Sequence, residues 1–138
     1  MHFNVCVHDV HPGFAPQLQA LFAALRQRLG SVWSAGVVPL PGGQAWTSRG
    51  LLAEPGGAEV LLHGCTHRRR SRSPIARWLG GADELVGLTT EQAAARIAQG
   101  ASALTALTGE VPRGFLPPGA WNGRGTQRTW TSWFTSTG

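Results

Sequence analysis

The sequence predicts an α/β fold, and three observations carry that expectation. Short β-branched or apolar runs stop at polar clusters, two longer stretches repeat apolar residues at three- and four-residue intervals, and 42% apolar against 14% charged content is that of a globular chain. At 138 residues the chain has the length of one domain, enough to bury a core.

Residues 3–8, Phe-Asn-Val-Cys-Val-His, alternate and stop at Asp9, which predicts a first strand with polar groups at its C-terminal end. Phe14, Leu18, Leu21, Phe22, Leu25 and Leu29 then recur at helical spacing, and Gly30 supplies a stop. Residues 32–40 read as a second strand, followed by a Gly/Pro-rich connector through Gly57. Glu59 to Leu62 reads as a third strand ending at His63. Beyond an Arg-rich loop, Thr89 and Gln92 have capping-box spacing ahead of Ala93, Ile97, Leu104 and Leu107, the expected buried face of a second helix. Residues 113–116 make a fourth short strand closed by Pro117 and Pro118. From Asn122 to Gly138 no apolar period is visible, and Gly, Thr, Ser and Trp dominate. Residues 1–121 are therefore expected to form one domain, or part of one, and 122–138 an irregular tail left by truncation or a frame shift, or covered by a partner.

The net charge of +5 invites a nucleic-acid reading, but all twelve basic residues are Arg. With 19 Gly, abundant Ala and no Tyr, that bias fits a GC-rich coding sequence better than selection for phosphate contacts. The densest cluster, Arg68-Arg69-Arg70-Ser71-Arg72, has no interleaved aromatics of the kind a single-strand platform needs and reads as a solvated loop. Cys6 and Cys65 lie far apart, residues 1–10 do not form a secretory signal, and no apolar run approaches the roughly 18 residues of a membrane span. A reduced, cytoplasmic location with no membrane partner is expected.

Four of the five histidines fall in two clusters, His8-Asp9-Val10-His11 after the first strand and His63-Gly64-Cys65-Thr66-His67 after the third. Strand ends of this kind are where α/β proteins bind ligands. His63 and His67, four apart, can turn both imidazoles toward one ion, and Asp9 adds a hard oxygen. Two nitrogens and a carboxylate suit Zn²⁺ or a similar divalent ion with a position left for water. Cys65, between the histidines, is expected to be a small buried filler rather than a ligand.

The His-Asp pair, the His-x-x-x-His and the segment Arg113-Gly-Phe-Leu-Pro-Pro118 together resemble the first three motifs of the polysaccharide deacetylase (NodB-homology, carbohydrate esterase family 4) superfamily, over roughly residues 3–121. Val5 to Pro12 is similar to the Val-x-His-Asp-Val-x-Pro opening of one branch. The resemblance implies a (β/α) deacetylase-type barrel, here its N-terminal portion with about four strands and two main helices. It also implies one divalent ion, Zn²⁺ first among candidates, on Asp9, His63 and His67. Such an ion polarises an acetamide carbonyl and acidifies water, so the implied reaction is hydrolysis of a non-peptide C–N bond, the N-deacetylation of an amino sugar, a polysaccharide or a small N-acetylated substrate. Better-known members place an Asp base before the ligand Asp. His8 stands there in this chain, and an imidazole can exchange protons near neutral pH. The third motif assigns Arg113, Pro117 and Trp121 to the substrate groove. This sequence departs from the pattern in the additional Gly119, in having no histidine after His67, and in a length below the roughly 200 residues of a whole barrel. A catalytically inert fragment that keeps metal or saccharide binding is the alternative expectation. A nucleic-acid module on Arg68 to Arg72 is the third.

Overall fold

The computed structural model describes residues 5–53, 55–68, 84, 85 and 88–118. The expectations on Phe3 and Asn4, on Arg69, Arg70 and Arg72, on Trp121 and on the 122–138 tail lie outside the described residues.

The architecture is mixed α/β. Three strands, β1 (Cys6–Val10), β2 (Ser34–Val37) and β3 (Glu59–Leu62), form a parallel sheet in the order β1-β2-β3. Between β1 and β2 runs α1 (Ala15–Leu29), between β2 and β3 the short α2 (Gly50–Ala53), and after β3 comes α3 (Thr90–Thr108). The chain then returns as a parallel bridge between Phe115 and Leu62. Parallel neighbours require such crossovers, which is why helical periods alternate with strands along the sequence. All four residues of β2 are buried, as a central strand covered on both faces must be.

Each helix owes its limits to local chemistry. The α1 helix follows a 3₁₀ turn, Pro12–Phe14, and ends at Gly30 with φ 60°. Its inward residues Leu18 and Phe22 join Val10, Trp33, Ala35, Val37, Leu62 and Leu104 in the core. Phe14, Leu21 and Leu29 remain exposed although the period included them. The α3 helix begins with the expected capping box: Thr89 Oγ1 accepts from Gln92 N at 3.3 Å and Thr89 N donates to Gln92 Oε1 at 3.1 Å. It ends at Gly109, which is left-handed with φ 83°.

Strand β3 keeps its expected bounds and α2 lies within the stretch expected to be a connector, while the other strands differ from expectation. The second is 34–37 rather than 32–40, because Val32 and Trp33 close a turn after α1 and Pro39 has no N–H for the ladder. The fourth, expected at 113–116, is one bridge: Gly114 O and Leu116 N pair with Leu62, and prolines at 112, 117 and 118 prevent extension. The first strand does not stop at Asp9 but continues to Val10, through an irregularity. Val7 pairs with Ala35 and Val10 with Val37, so β1 spends three steps where β2 spends two. That extra residue is a bulge, and Asp9 within it has φ 57°.

Candidate metal centre

The bulge and the turn after β3 bring together the three residues expected to bind metal. Asp9, His63 and His67 each offer a ligand atom, all within 4.8 Å of one another. Asp9 Oδ1 lies 3.4 Å from His63 Nε2 and 3.0 Å from His67 Nε2. The three stand at the C-terminal ends of β1 and β3, the edge of a parallel sheet where ligands collect.

Hydrogen bonding sets the tautomer of His63. Its Nδ1 lies 2.9 Å from Leu116 O, and a carbonyl only accepts, so Nδ1 carries the proton. In the neutral ring Nε2 then presents a bare lone pair toward Asp9. The ring is almost wholly buried, and burial pushes its pKa below the ordinary value, outweighing the Leu116 carbonyl and the Asp9 charge, which pull it up. His63 is therefore neutral at neutral pH, and a carboxylate oxygen and a nitrogen lone pair face each other. Asp9 Oδ1 is sealed from solvent and has no hydrogen-bond partner. Sealed oxygens without partners are rare because desolvation without a hydrogen bond costs about 1–3 kcal/mol. A cation between oxygen and nitrogens resolves both oddities, so the donor set fits a divalent ion of the zinc type.

Two of the three candidate ligands occupy unusual backbone. Asp9 and His67, with φ 57° and 53°, are the non-glycine residues of positive φ among those described. A side chain in that region is held there by its surroundings. For His67 the surroundings are Glu84, a buried carboxylate that the sequence reading did not single out. It accepts from Cys65 N, from Thr66 N at 2.8 Å, from Thr66 Oγ1 at 2.8 Å and from His67 N at 3.0 Å. Burial pushes the Glu84 carboxyl up, but these donors outweigh burial and leave it below its usual value. Nothing in a lone acidic residue within an irregular loop announces this role. Gly36 was missed as well. A Cβ there would stand 3.0 Å from Leu116 Cδ2 and 3.3 Å from His63 Cβ, so its missing side chain lets the ligand turn close over β2.

The other expected residues are distributed around this cluster. His8 is exposed, and its ring meets His63 edge-on at 5.0 Å between centroids. Cys65 is buried, and burial first, then the Glu84 charge, raise its pKa, so it stays a thiol. That agrees with a filler rather than a ligand. Pro117 is half-buried directly after Leu116. Arg113 is exposed and lines a separate cavity with Glu59 and Val60, at the opposite end of β3 from His63. A cavity of about 480 Å³ opens beside His67, walled by His11, Pro12, Gln44, Trp46, Thr47 and Thr66 among others. Trp46 is fixed in that wall by its Nε1 hydrogen bond to Val38 O at 3.0 Å. His11 Nδ1 accepts from Gly13 N at 3.1 Å, which leaves the proton of its neutral ring on Nε2.

No family model, curated protein or solved structure matches this chain. No helix among the described residues is long and apolar enough to cross a membrane.

Proposed function

We propose that the chain is a metal-dependent hydrolase of non-peptide C–N bonds, an N-deacetylase acting on an amino sugar or glycan, and that its sheet is the first part of a deacetylase-type (β/α) barrel. The observation that carries the reading is Asp9 Oδ1, sealed and without a hydrogen-bond partner between two imidazole Nε2 atoms. The parallel run of β1, β2, β3 and the Phe115 segment in chain order supports the barrel.

Asp9, His63 and His67 would hold the ion. When bound it supplies Lewis acidity to an amide carbonyl and lowers the pKa of water. The remaining work belongs to the chain's own groups. Leu116 O keeps His63 in the tautomer that offers Nε2. His8, exposed with its ring against His63, would take a proton at the solvent side of the centre. The cavity on the His67 side has the size of a small-ligand site, and its mix of indole, hydroxyl, amide and imidazole groups suits a ring with one apolar face and a polar edge. His11 offers an N–H donor from its wall. The test is zinc content with hydrolysis of an acetylated substrate, before and after chelation. Zinc held by the purified chain and a rate that falls on chelation are expected, and a chelator-insensitive rate overturns the reading.

The alternative, metal or saccharide binding without turnover, draws on one observation: the last histidine of the sequence is His67, itself a ligand candidate, which leaves His8 and His11 as the imidazoles described around the centre. Zinc retention with no hydrolysis of any acetylated compound distinguishes it.

A further inference from the structure

We infer that Glu84 is the positioning residue of the metal centre: its carboxylate holds the 65–67 turn in the one conformation that delivers His67 to Asp9, and so sets the affinity for the ion. The inference rests on the metal reading above and goes beyond it, because Glu84 is no ligand.

Four donors converge on the carboxylate. Cys65 N reaches Oε1, while Thr66 N, Thr66 Oγ1 and His67 N reach Oε2 at 2.8, 2.8 and 3.0 Å. Three successive backbone N–H groups that point at one anion form a nest, and the residues that form it adopt conformations they would otherwise leave. The last residue of this nest is His67, whose φ of 53° is unfavourable for a side chain of its size. The same backbone twist aims His67 Nε2 at Asp9 Oδ1, 3.0 Å away. The seat is tight as well. Gly64 has φ +68°, and a Cβ there would lie 2.7 Å from Glu84 Oε1 and 3.1 Å from Pro118 Cγ, so the carboxylate fills the room a side chain would need. Glu84 is 2% exposed, and a carboxylate is buried this deeply only where donors replace its water. A merely structural acid would serve at any turn. This one fastens the backbone of His67, the candidate ligand with the strained φ of 53°.

Exchanging Glu84 for Gln keeps the shape but sets an amide NH₂ against backbone N–H groups. Support around a ligand typically contributes about 10- to 100-fold in metal affinity. The experiment titrates the full chain with Zn²⁺ against a chromophoric chelator, records the Co²⁺ absorption spectrum, and measures Tm with and without Zn²⁺, for wild type, Glu84→Gln, Glu84→Asp, Thr66→Val and His63→Ala. Glu84→Gln is expected to lose about 10- to 100-fold in Zn²⁺ affinity, to change the Co²⁺ spectrum and to lose most of the Zn²⁺-induced rise in Tm. Glu84→Asp recovers part of that loss, and Thr66→Val, which removes one of the four bonds, shows a smaller loss of the same kind. Should Glu84→Gln fail to fold, Thr66→Val decides: wild-type affinity and spectrum in it overturn the inference. Equal lowering of Tm with and without Zn²⁺, at unchanged affinity, also overturns it by reducing Glu84 to a structural acid. If wild type binds no Zn²⁺, or His63→Ala binds it equally well, the metal reading itself fails and this inference with it.

Discussion

Leu116 contributes its carbonyl to the candidate centre, and that oxygen decides which nitrogen of His63 is free. Removal of a candidate ligand side chain should be severe. His63→Ala or His67→Ala is expected to abolish most bound zinc in elemental analysis, since each removes one of three candidate ligands. The metal-free protein should also be acid-sensitive in two stages. Burial, partly offset by Leu116 and Asp9, holds the His63 pKa below its ordinary 6.5, so the unfolded chain takes up a proton that the folded one refuses. Stability is complete above about pH 6.5 and falls as the pH drops toward the lowered folded value. Glu84, held below its ordinary 4.5 by its donors against the opposing effect of burial, adds a second loss as the pH falls from about 4.5 through its folded value. Urea titrations of chelated protein between about pH 8 and 4 check this, and a flat profile from 6.5 downward would contradict it. Asp9, His63 and His67 were legible in the sequence because ligand chemistry and spacing are local. Leu116 was not, because any residue has a carbonyl, and Glu84 was not, because its value lies in donors 17 to 19 positions away.

At the scale of elements, α1, α3 and β3 followed from sequence almost residue by residue, whereas α2 lies in what reads as a connector and the limits of the other strands did not follow. Thr89, Gln92 and Gly109 write the ends of α3 into its own chemistry. Thr89→Ala should lower stability by about 1 kcal/mol in denaturant titration, without changing zinc content. Strand limits depend on a partner's register and on which N–H groups exist, so the prolines after Val38 and Leu116 shortened what apolar patterning had extended. The contact between α3 and the ligand turn is glycine-dependent. A Cβ on Gly100 would meet Gly64 O and Leu62 Cδ1 at 3.2 Å and Cys65 Cα at 3.3 Å. Gly100→Ala would ordinarily favour a helix, yet here it is expected to lower Tm and weaken zinc binding together, because relief of the contact shifts the turn.

In the whole molecule, a parallel sheet puts its strand ends on one edge, and this made the site legible before any contact was known. With three ligand candidates for an ion and no histidine beyond position 67, the 138-residue chain should hydrolyse activated acetate esters, whose leaving groups need no proton, faster than N-acetylated sugars. General-acid assistance contributes about 10² to 10⁴ in rate, and the difference is expected within that range. Ester cleavage should disappear with a chelator and in Asp9→Asn, and efficient deacetylation of an N-acetylglucosamine oligomer would point to His11 as the missing acid. The bulge in β1 gives Asp9 a further meaning. Ala35 and Val37 stand two apart on β2, whereas their partners Val7 and Val10 stand three apart. A chain from which Asp9 had been deleted would pair in regular register with both valines still facing the core. Asp9, the candidate ligand, is thus an extra residue that the sheet tolerates rather than needs. Smooth pairing and metal binding are competing solutions at this point, so the deletion should yield a sheet at least as stable as the parent, with its chemistry erased.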